Sequence, residues 1–210
     1  MTIGAHYDHE GIKNGQVYNG ADDNASGTVA TLECARQLAL TKSNKRPILF
    51  CFWDGEEKGL LGSEYFATSH HNINEIVVNI NLDMVGREHE DSLAVIGSGK
   101  LSSEFFHIVE DINQQTSHFV FDYTFDDENH PERFYYRSDH WSLAKLGVPV
   151  VFLFDNENKD YHTPRDDADK INYLKLKKVV TLANGLALEV ANLDHKLEVD
   201  HTNISRLEAK

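Results

Sequence analysis

The stretch "ILFCFWDGEEKGLLGSEYF", residues 48–66, joins a strand pattern directly to a pair of acidic residues. Its apolar first part is typical of a buried strand, and it ends abruptly at Asp54-Gly55, just before Glu56 and Glu57. Adjacent carboxylates repel each other, and removing either one from water is costly. The two glutamates therefore belong either to a solvated turn or to a binding site for a cation.

Similar apolar runs recur along the chain, and each is followed by a polar loop. Helical patterns separate them, and the clearest places Val179, Leu182, Leu186 and Val190 on one stripe. Strands that are apolar on both faces and alternate with helices predict an α/β fold, a three-layer α/β/α sandwich around a mixed, mostly parallel sheet. The predicted strands cover residues 47–53, 76–82, 93–96, 119–123 and 148–154.

The overall composition limits the number of domains and the classes of partner that the chain can have. The 210 residues are 40% hydrophobic, enough for one core, and we expect one domain over residues 1–193 and a charged tail over 194–210. The formal charge of −14 argues against nucleic acid as a partner and mildly favours cationic ligands. Apolar runs are too short to span a membrane. Cys34 and Cys51 are expected to be small buried hydrophobes without a disulfide.

Polar residues gather where the predicted strands end, which is where ligands bind in open α/β sheets. Each motif has an ordinary structural explanation when taken alone, since a histidine near a strand end is more often structural than ligating. An acidic or imidazole side chain at strand after strand is harder to attribute to chance. The motifs are "GAHYDHE" with His6 and Asp8, "NGADDNASG" with Asp22 and Asp23, "FWDGEE", "NINLDMVG" with Asp83, and "YHTPRDD" with His162.

The donor types in this set indicate two metal ions. Two histidines and three carboxylates suit two borderline-soft divalent ions that share one carboxylate, and this mixture fits zinc better than magnesium or calcium. Glu57 is then a metal ligand, and Glu56 is left as a general base facing the water that the metals activate. Asp8, two residues after His6, can fix the tautomer of that histidine, or it can simply cap a turn.

These motifs, in this order, resemble the di-zinc aminopeptidase family that includes bacterial leucyl aminopeptidases, aminopeptidase Y and the glutamate carboxypeptidases. The resemblance extends from Gly4 to about Ile171 and also includes "SDHWSLAKLGVPVVF". It implies a zinc exopeptidase, most simply an aminopeptidase with two co-catalytic Zn²⁺ and a peptide substrate. It also implies that the full-length parent is secreted or periplasmic, although this sequence has no signal peptide.

The resemblance assigns a role to each site residue. His6 and Asp83 hold one zinc, Glu57 and His162 hold the other, Asp23 bridges them, and Glu56 is the base. Some family members place an oxyanion-stabilising tyrosine shortly before Ser-Asp-His, a role that Tyr135 or Tyr136 could fill, with Tyr135 favoured by spacing; a packing tyrosine is an equal alternative. Asp139 and His140 lie near the site in the family pattern, with no fixed role.

The sequence departs from the family at its start, because the usual helix and strand pair before the G-x-H-x-D motif are missing. We therefore expect a sheet that lacks the family's N-terminal edge elements. Two other functions stay open. A glutaminyl cyclase would use one zinc, although "EEKGLLGSEYF" carries no insertion after the glutamates. A non-enzymatic receptor or scaffold module would be expected to have lost ligands.

Overall fold

The computed structural model describes residues 1–87 and 89–199, which form eight strands and five helices longer than a single turn. The strands are β1 (Thr2–His6), β2 (Gly11–Lys13), β3 (Gln16–Tyr18), β4 (Leu49–Trp53), β5 (Asn79–Leu82), β6 (Ser92–Ile96), β7 (Val120–Asp122) and β8 (Val150–Phe154). The helices are α1 (Gly27–Thr41), α2 (Leu61–Ser69), α3 (Ser103–Gln115), α4 (His140–Ala144) and α5 (Tyr173–Asn192).

Six of these strands form the central sheet, in the order β4-β1-β5-β8-β6-β7. All neighbours are parallel except β6 and β8, which are antiparallel. Helices α1, α3 and α5 pack together on one face of the sheet, and α2 packs against α4 on the other. The predicted α/β sandwich with a mixed, mostly parallel sheet is confirmed, and so are all five predicted strands. Four of them are shorter than predicted, and β6 begins one residue earlier.

The main core lies between the sheet and the three helices α1, α3 and α5. The predicted stripe on α5 is buried there, and Val179, Leu182 and Leu186 have no exposed surface. Cys34 faces this core from α1, and both cysteines are free and buried, as expected from the sequence. Full burial of an aliphatic side chain contributes about 1.5–3 kcal/mol, so this stripe is a large part of what holds α5 on the sheet.

Two elements were not predicted. The β2–β3 hairpin has three-residue strands with exposed apolar side chains, such as Ile12 at 73% exposure, so it lacks the alternation that marks a half-buried strand. Helix α2 begins inside the sequence "LLGSEYF", where Gly62 weakens the helical pattern. A Cβ atom on Gly62 would lie 2.6 Å from the carbonyl oxygen of Asp54, so glycine is required for this close approach.

Strand β4 is less buried than its sequence indicates, because it lies at an edge of the sheet and Phe52 is 39% exposed.

At the other end of the chain, Leu197 packs into the main core, and residues 200–210 of the predicted charged tail lie outside the described residues. Among the helices of the described residues, none has the length and apolar character needed to cross a membrane.

Candidate metal site

The first half of the site forms where β1 and β5 end side by side. These strands are parallel and Gly4 pairs with Asn81, so His6 and Asp83, each two residues further on, arrive at the same level. Nε2 of His6 lies 3.3 Å from Oδ1 of Asp83. Both side chains are buried, with His6 only 1% exposed. The sheet register alone therefore brings one imidazole and one carboxylate together.

Asp23 joins this pair to the second half of the site. It lies in the irregular turn Ala21–Ser26 that precedes α1, and its two carboxylate oxygens face different histidines. Oδ1 lies 3.5 Å from Nε2 of His6, and Oδ2 lies 3.0 Å from Nε2 of His162. One buried carboxylate is thus shared between two imidazoles, the arrangement predicted for a bridging ligand.

Glu57 and His162 complete the second half. Glu57 follows β4, whose last residue pairs with His6, and so it reaches the same edge of the sheet. Its Oε2 lies 3.1 Å from Nε2 of His162. All five predicted ligands therefore converge, although they come from five separate segments of the chain.

These donors fit divalent metal ions of the size of zinc. In a tetrahedral site, donors about 2.0–2.1 Å from the ion lie about 3.3 Å from one another. The imidazole and carboxylate atoms here are separated by 3.0 to 3.5 Å. One candidate group consists of His6, Asp23 and Asp83. A second lies around Glu57, where His162 and Asp23 approach it, and where His9 and Glu10 also offer ligand atoms.

Asp8 caps the turn that holds the glutamates, and its backbone carbonyl, rather than its carboxylate, hydrogen-bonds to the ring of His6. Its carboxylate accepts hydrogen bonds from the backbone N–H groups of Glu56 and Glu57, at 3.1 and 3.3 Å, and so caps the turn that holds them. Its backbone carbonyl accepts from Nδ1 of His6 at 3.1 Å, and its carboxylate lies 3.6 Å from the same nitrogen. Because a carbonyl can only accept, Nδ1 of His6 carries the proton and Nε2 faces the site.

Residues 1–187 match the sequence profile of peptidase family M28. The chain belongs to this family. It is 30% identical over 204 residues to a probable leucine aminopeptidase of Trichophyton verrucosum, covering 91% of this chain and 54% of the relative. This M28 chain therefore spans about half the length of the curated relatives it matches.

Solved structures of related proteins share the fold of this M28 chain. The LapA aminopeptidase of Legionella pneumophila superposes with a TM-score of 0.77 at 26% identity, covering 92% of this chain and 52% of that one. BSAP, a zinc aminopeptidase from Bacillus subtilis, gives a TM-score of 0.71 at 27% identity, covering 90% and 45%. The relatives are thus both fungal and bacterial.

Glu56 lies beside the ligands of this M28 site without joining either group of donors. It lines a pocket together with His6, Asp23 and Asp83. Burial, reinforced by the charge of Asp83, raises the pKa of its carboxyl to about 9. Glu57, its neighbour, has a lowered pKa, since its contacts with His162 and His9 outweigh the effect of burial. The two adjacent glutamates are therefore in opposite electrostatic environments.

The structure favours the packing alternative for Tyr135 over the oxyanion role. Tyr135 lies in a single helical turn, Phe134–Tyr136, that directs its ring against Gly97 and Val150 in the core, and it does not line the metal pocket. Tyr161 lines the pocket instead, and its ring stacks on His162 with centroids 3.8 Å apart. Tyr161 directly precedes a predicted ligand, but the sequence does not show which of the two tyrosines faces the pocket.

In the motif "RSDHW", the residue that hydrogen-bonds to a candidate ligand is Ser138. Its hydroxyl donates to Oδ2 of Asp83 at 2.7 Å and accepts from the side-chain amide of Asn81 at 2.8 Å, which fixes the Asp83 carboxylate. Asp139 is buried next to the site, and burial raises its pKa to about 7. His140 faces away: its ring stacks on Phe152, and its Nε2 donates to the carbonyl of Tyr135.

Buried acidic residues hold the turn that carries Asp23. Oδ2 of Asp166 accepts the backbone N–H groups of Asp22 and Asp23, at 2.9 and 3.0 Å. Its other oxygen accepts from the guanidinium of Arg87 at 2.8 Å. The Asp22 carboxylate accepts from the backbone N–H of Gly86 at 2.8 Å, so it is structural and not a ligand. Sequence reasoning missed Asp166, which only the fold brings to this place.

Proposed function

We propose that this chain is a zinc-dependent exopeptidase of the aminopeptidase type, which removes N-terminal residues from peptides with two co-catalytic Zn²⁺ ions. The observation that carries the proposal is the shared carboxylate of Asp23, with one oxygen toward His6 and the other toward His162. Paired ions in two-metal hydrolytic sites share ligands in this way. Family membership and the aminopeptidases among the relatives support the same activity.

Each proposed zinc has its own histidine and its own acidic ligand. One ion would be held by His6 and Asp83, the other by Glu57 and His162, and Asp23, which lies close to both histidines, would belong to both. Zinc bound here supplies a Lewis acid that polarises a peptide carbonyl and makes water a better nucleophile near neutral pH.

Glu56 is proposed as the general base. It lines the pocket beside three of the ligands, and no described ion pair ties up its carboxylate. It takes a proton from the attacking water and returns it to the leaving amine. Tyr161 is proposed to donate its hydroxyl proton in a hydrogen bond to the oxyanion that forms from the scissile carbonyl, because it lines the same pocket.

The walls of the pocket favour an apolar N-terminal residue. Met84, Phe134, Phe152 and Phe154 line the pocket next to the ligands. The lining also includes Arg137 and Glu157, whose charges are paired with each other at 2.7 Å. Burial of an apolar side chain against this surface contributes roughly 25 cal/mol for each Å² removed from water. The relative from Trichophyton verrucosum, a probable leucine aminopeptidase, agrees with this preference. We therefore expect leucine and phenylalanine to be preferred over lysine and glutamate.

The test is an assay of the zinc-loaded protein on aminoacyl anilides. We expect hydrolysis of leucine anilide, none of its N-acetylated form, and loss of activity with a zinc chelator. Cyclisation of N-terminal glutaminyl peptides without anilide hydrolysis would identify a glutaminyl cyclase instead. Folded, zinc-loaded protein that is inactive on both substrates would favour the scaffold function.

A further inference from the structure

The loop directly after the first ligand holds two residues, His9 and Glu10, that the reaction itself does not use. Both point at the second half of the site, and both are largely buried, with side chains 8% and 9% exposed. We propose that His9 and Glu10 are positioning residues that set the zinc affinity of the Glu57–His162 position. This inference rests on the two-zinc site proposed above.

His9 fixes the direction of the Glu57 carboxylate. Nδ1 of His9 lies 2.8 Å from Oε1 of Glu57, while Oε2 of the same carboxylate faces His162 at 3.1 Å. This contact is a close approach of an imidazole and a carboxylate that lacks hydrogen-bond geometry, and within the described residues neither ring nitrogen of His9 forms a hydrogen bond. Glu57 thus divides its oxygens, and only Oε2 is left to face His162 and an ion. Without His9, the carboxylate would be free to rotate out of this orientation.

The chain makes room for the His9 ring at a glycine. Gly20 lies directly before the turn that carries Asp23, and it has a φ of 63°. A Cβ atom built on Gly20 would lie 2.5 Å from Cγ of His9. The imidazole is therefore packed against backbone between two ligand segments, where it cannot swing away from Glu57. This confinement is what a positioning residue requires.

Glu10 orients His162 from the opposite side of the ring. Its Oε1 lies 3.5 Å from Nδ1 of His162, while Nε2 of that ring faces Asp23 and Glu57. A ligating histidine commonly donates its second ring N–H to a carboxylate, which fixes the tautomer and strengthens the ligand. Glu10 is held in turn by Lys13 and by Lys58, whose Nζ is 3.9 Å away.

This support is directed at one half of the site. The one contact of His9 with the shared ligand, 3.7 Å from its Nδ1 to Oδ2 of Asp23, is with the oxygen that faces His162. His6 is oriented by the backbone carbonyl of Asp8, and Asp83 by the hydroxyl of Ser138. Neither depends on His9 or Glu10. Loss of these two side chains should therefore weaken one zinc site and spare the other, a selectivity that a general loss of stability would not produce.

The experiment is a Zn²⁺ titration of the metal-free protein with a chromophoric chelator as competitor, which resolves the two dissociation constants. Loss of partners that orient metal ligands typically weakens affinity by about 10–100-fold. We expect Glu10→Gln and His9→Gln to weaken one zinc by roughly this factor and leave the other unchanged. His9→Asn, whose amide nitrogen can occupy the place of Nδ1, should retain most of the affinity, whereas a purely structural role would not separate Asn from Gln.

Exposed residues of the same types provide matched controls. His71 and Glu75 are exposed and lie away from the site. In the variants His71→Gln and Glu75→Gln, both zinc affinities should match those of the unmodified protein. Unchanged zinc affinities in Glu10→Gln and His9→Gln would overturn the inference. Equal weakening of both zinc sites would also overturn it, and so would loss of the folded circular dichroism spectrum in these conservative variants. If the unmodified protein binds fewer than two zinc ions, the two-zinc proposal itself fails.

Discussion

At the scale of single residues, Glu56 and Glu57 share one turn but face different surroundings. The carboxylate of Asp8 accepts both of their backbone N–H groups and so fixes the turn. Glu57 then reaches His162 and His9, whereas Glu56 faces the pocket with no cationic side chain paired to it in the described residues. Two chemically identical neighbours can therefore have separate functions.

Glu56→Gln should abolish most of the turnover and leave the metal content intact. The amide keeps the shape of the side chain but cannot accept a proton from water, and a positioned acid–base group contributes about 10²–10⁴ in rate. We expect kcat on leucine anilide to fall by that factor, with zinc content measured by elemental analysis in parallel.

Glu57→Gln is the matched comparison, because it changes the adjacent residue in the same way. It should lose activity together with zinc, and excess zinc should restore part of the activity. Near-normal turnover in Glu56→Gln would show that the base lies elsewhere.

Tyr161→Phe should lower kcat without changing zinc content. Loss of one hydrogen-bond donor to a developing oxyanion typically costs about 10²–10³ in kcat. Tyr135→Phe is the control, since that ring lies against Gly97 and Val150 and outside the pocket. Kinetics that show the larger loss in Tyr135→Phe would return the oxyanion role to Tyr135.

At the scale of elements, Asp166 locks two loops of the site together. The segment that carries His162 continues to Asp166, which accepts the backbone N–H groups of Asp22 and Asp23 in the turn before α1. The same carboxylate forms a buried ion pair with Arg87, which follows the segment that carries Asp83. Three ligand-bearing segments are thus tied by one residue that is 1% exposed.

Asp166→Asn should therefore destabilise the fold. Removal of one partner from a buried ion pair costs about 3–5 kcal/mol. Arg87 would keep only the longer contact of its Nη1 with Oδ2 of Asp160, at 3.7 Å, so we expect a loss near the lower end of this range. Urea unfolding should report this loss as a lower midpoint. Asp169→Asn, on the exposed part of the same segment, should stay within about 0.5 kcal/mol of the unmodified protein. Equal midpoints in the two variants would show that Asp166 does not hold the loops.

At the scale of the whole molecule, the convergence of the five candidate ligands could be predicted because it follows from local patterns. Each ligand follows an apolar strand or opens a helix, and parallel strands bring their carboxyl ends to one edge of the sheet. The register of β1 and β5 then places His6 beside Asp83 without any further information.

The remaining site residues depend on contacts between distant segments, which local patterns do not contain. Tyr135 and Tyr161 both precede family motifs, and only the folded chain shows which ring turns inward. The contact between Asp166 and the turn before α1 spans 143 residues in the sequence. The β2–β3 hairpin was not predicted for a different reason. It is a local element, but its short, exposed strands carry no alternation of apolar and polar residues.

The metal-free protein should become less stable as the pH rises from about 4 to about 9. Burial is the chief cause of raised carboxyl pKa values, about 7 for Asp22, 6 for Asp23, 9 for Glu56 and 7 for Asp139. A raised carboxyl pKa means that the folded state binds the proton more tightly, so stability is lost as the pH climbs from about 4 through the folded value. Contacts with Asp23 and Glu57 raise the pKa of His162 to about 10, which acts in the same direction.

The measurement is the melting temperature of chelator-treated protein across this pH range. We expect a progressive fall, and we expect saturating zinc to remove most of it, since bound cations replace the protons that neutralise the carboxylates. A melting temperature that rises with pH in the metal-free protein would contradict this electrostatic explanation.

The two-metal site is tested most directly by X-ray diffraction of zinc-soaked crystals at the zinc absorption edge. We expect two anomalous peaks about 3.5–4 Å apart, the usual spacing in two-metal hydrolytic sites. One peak should lie between His6 and Asp83, the other between Glu57 and His162, with the Asp23 carboxylate between the two. A single peak, or zinc bound elsewhere with these five residues vacant, would contradict the two-metal site.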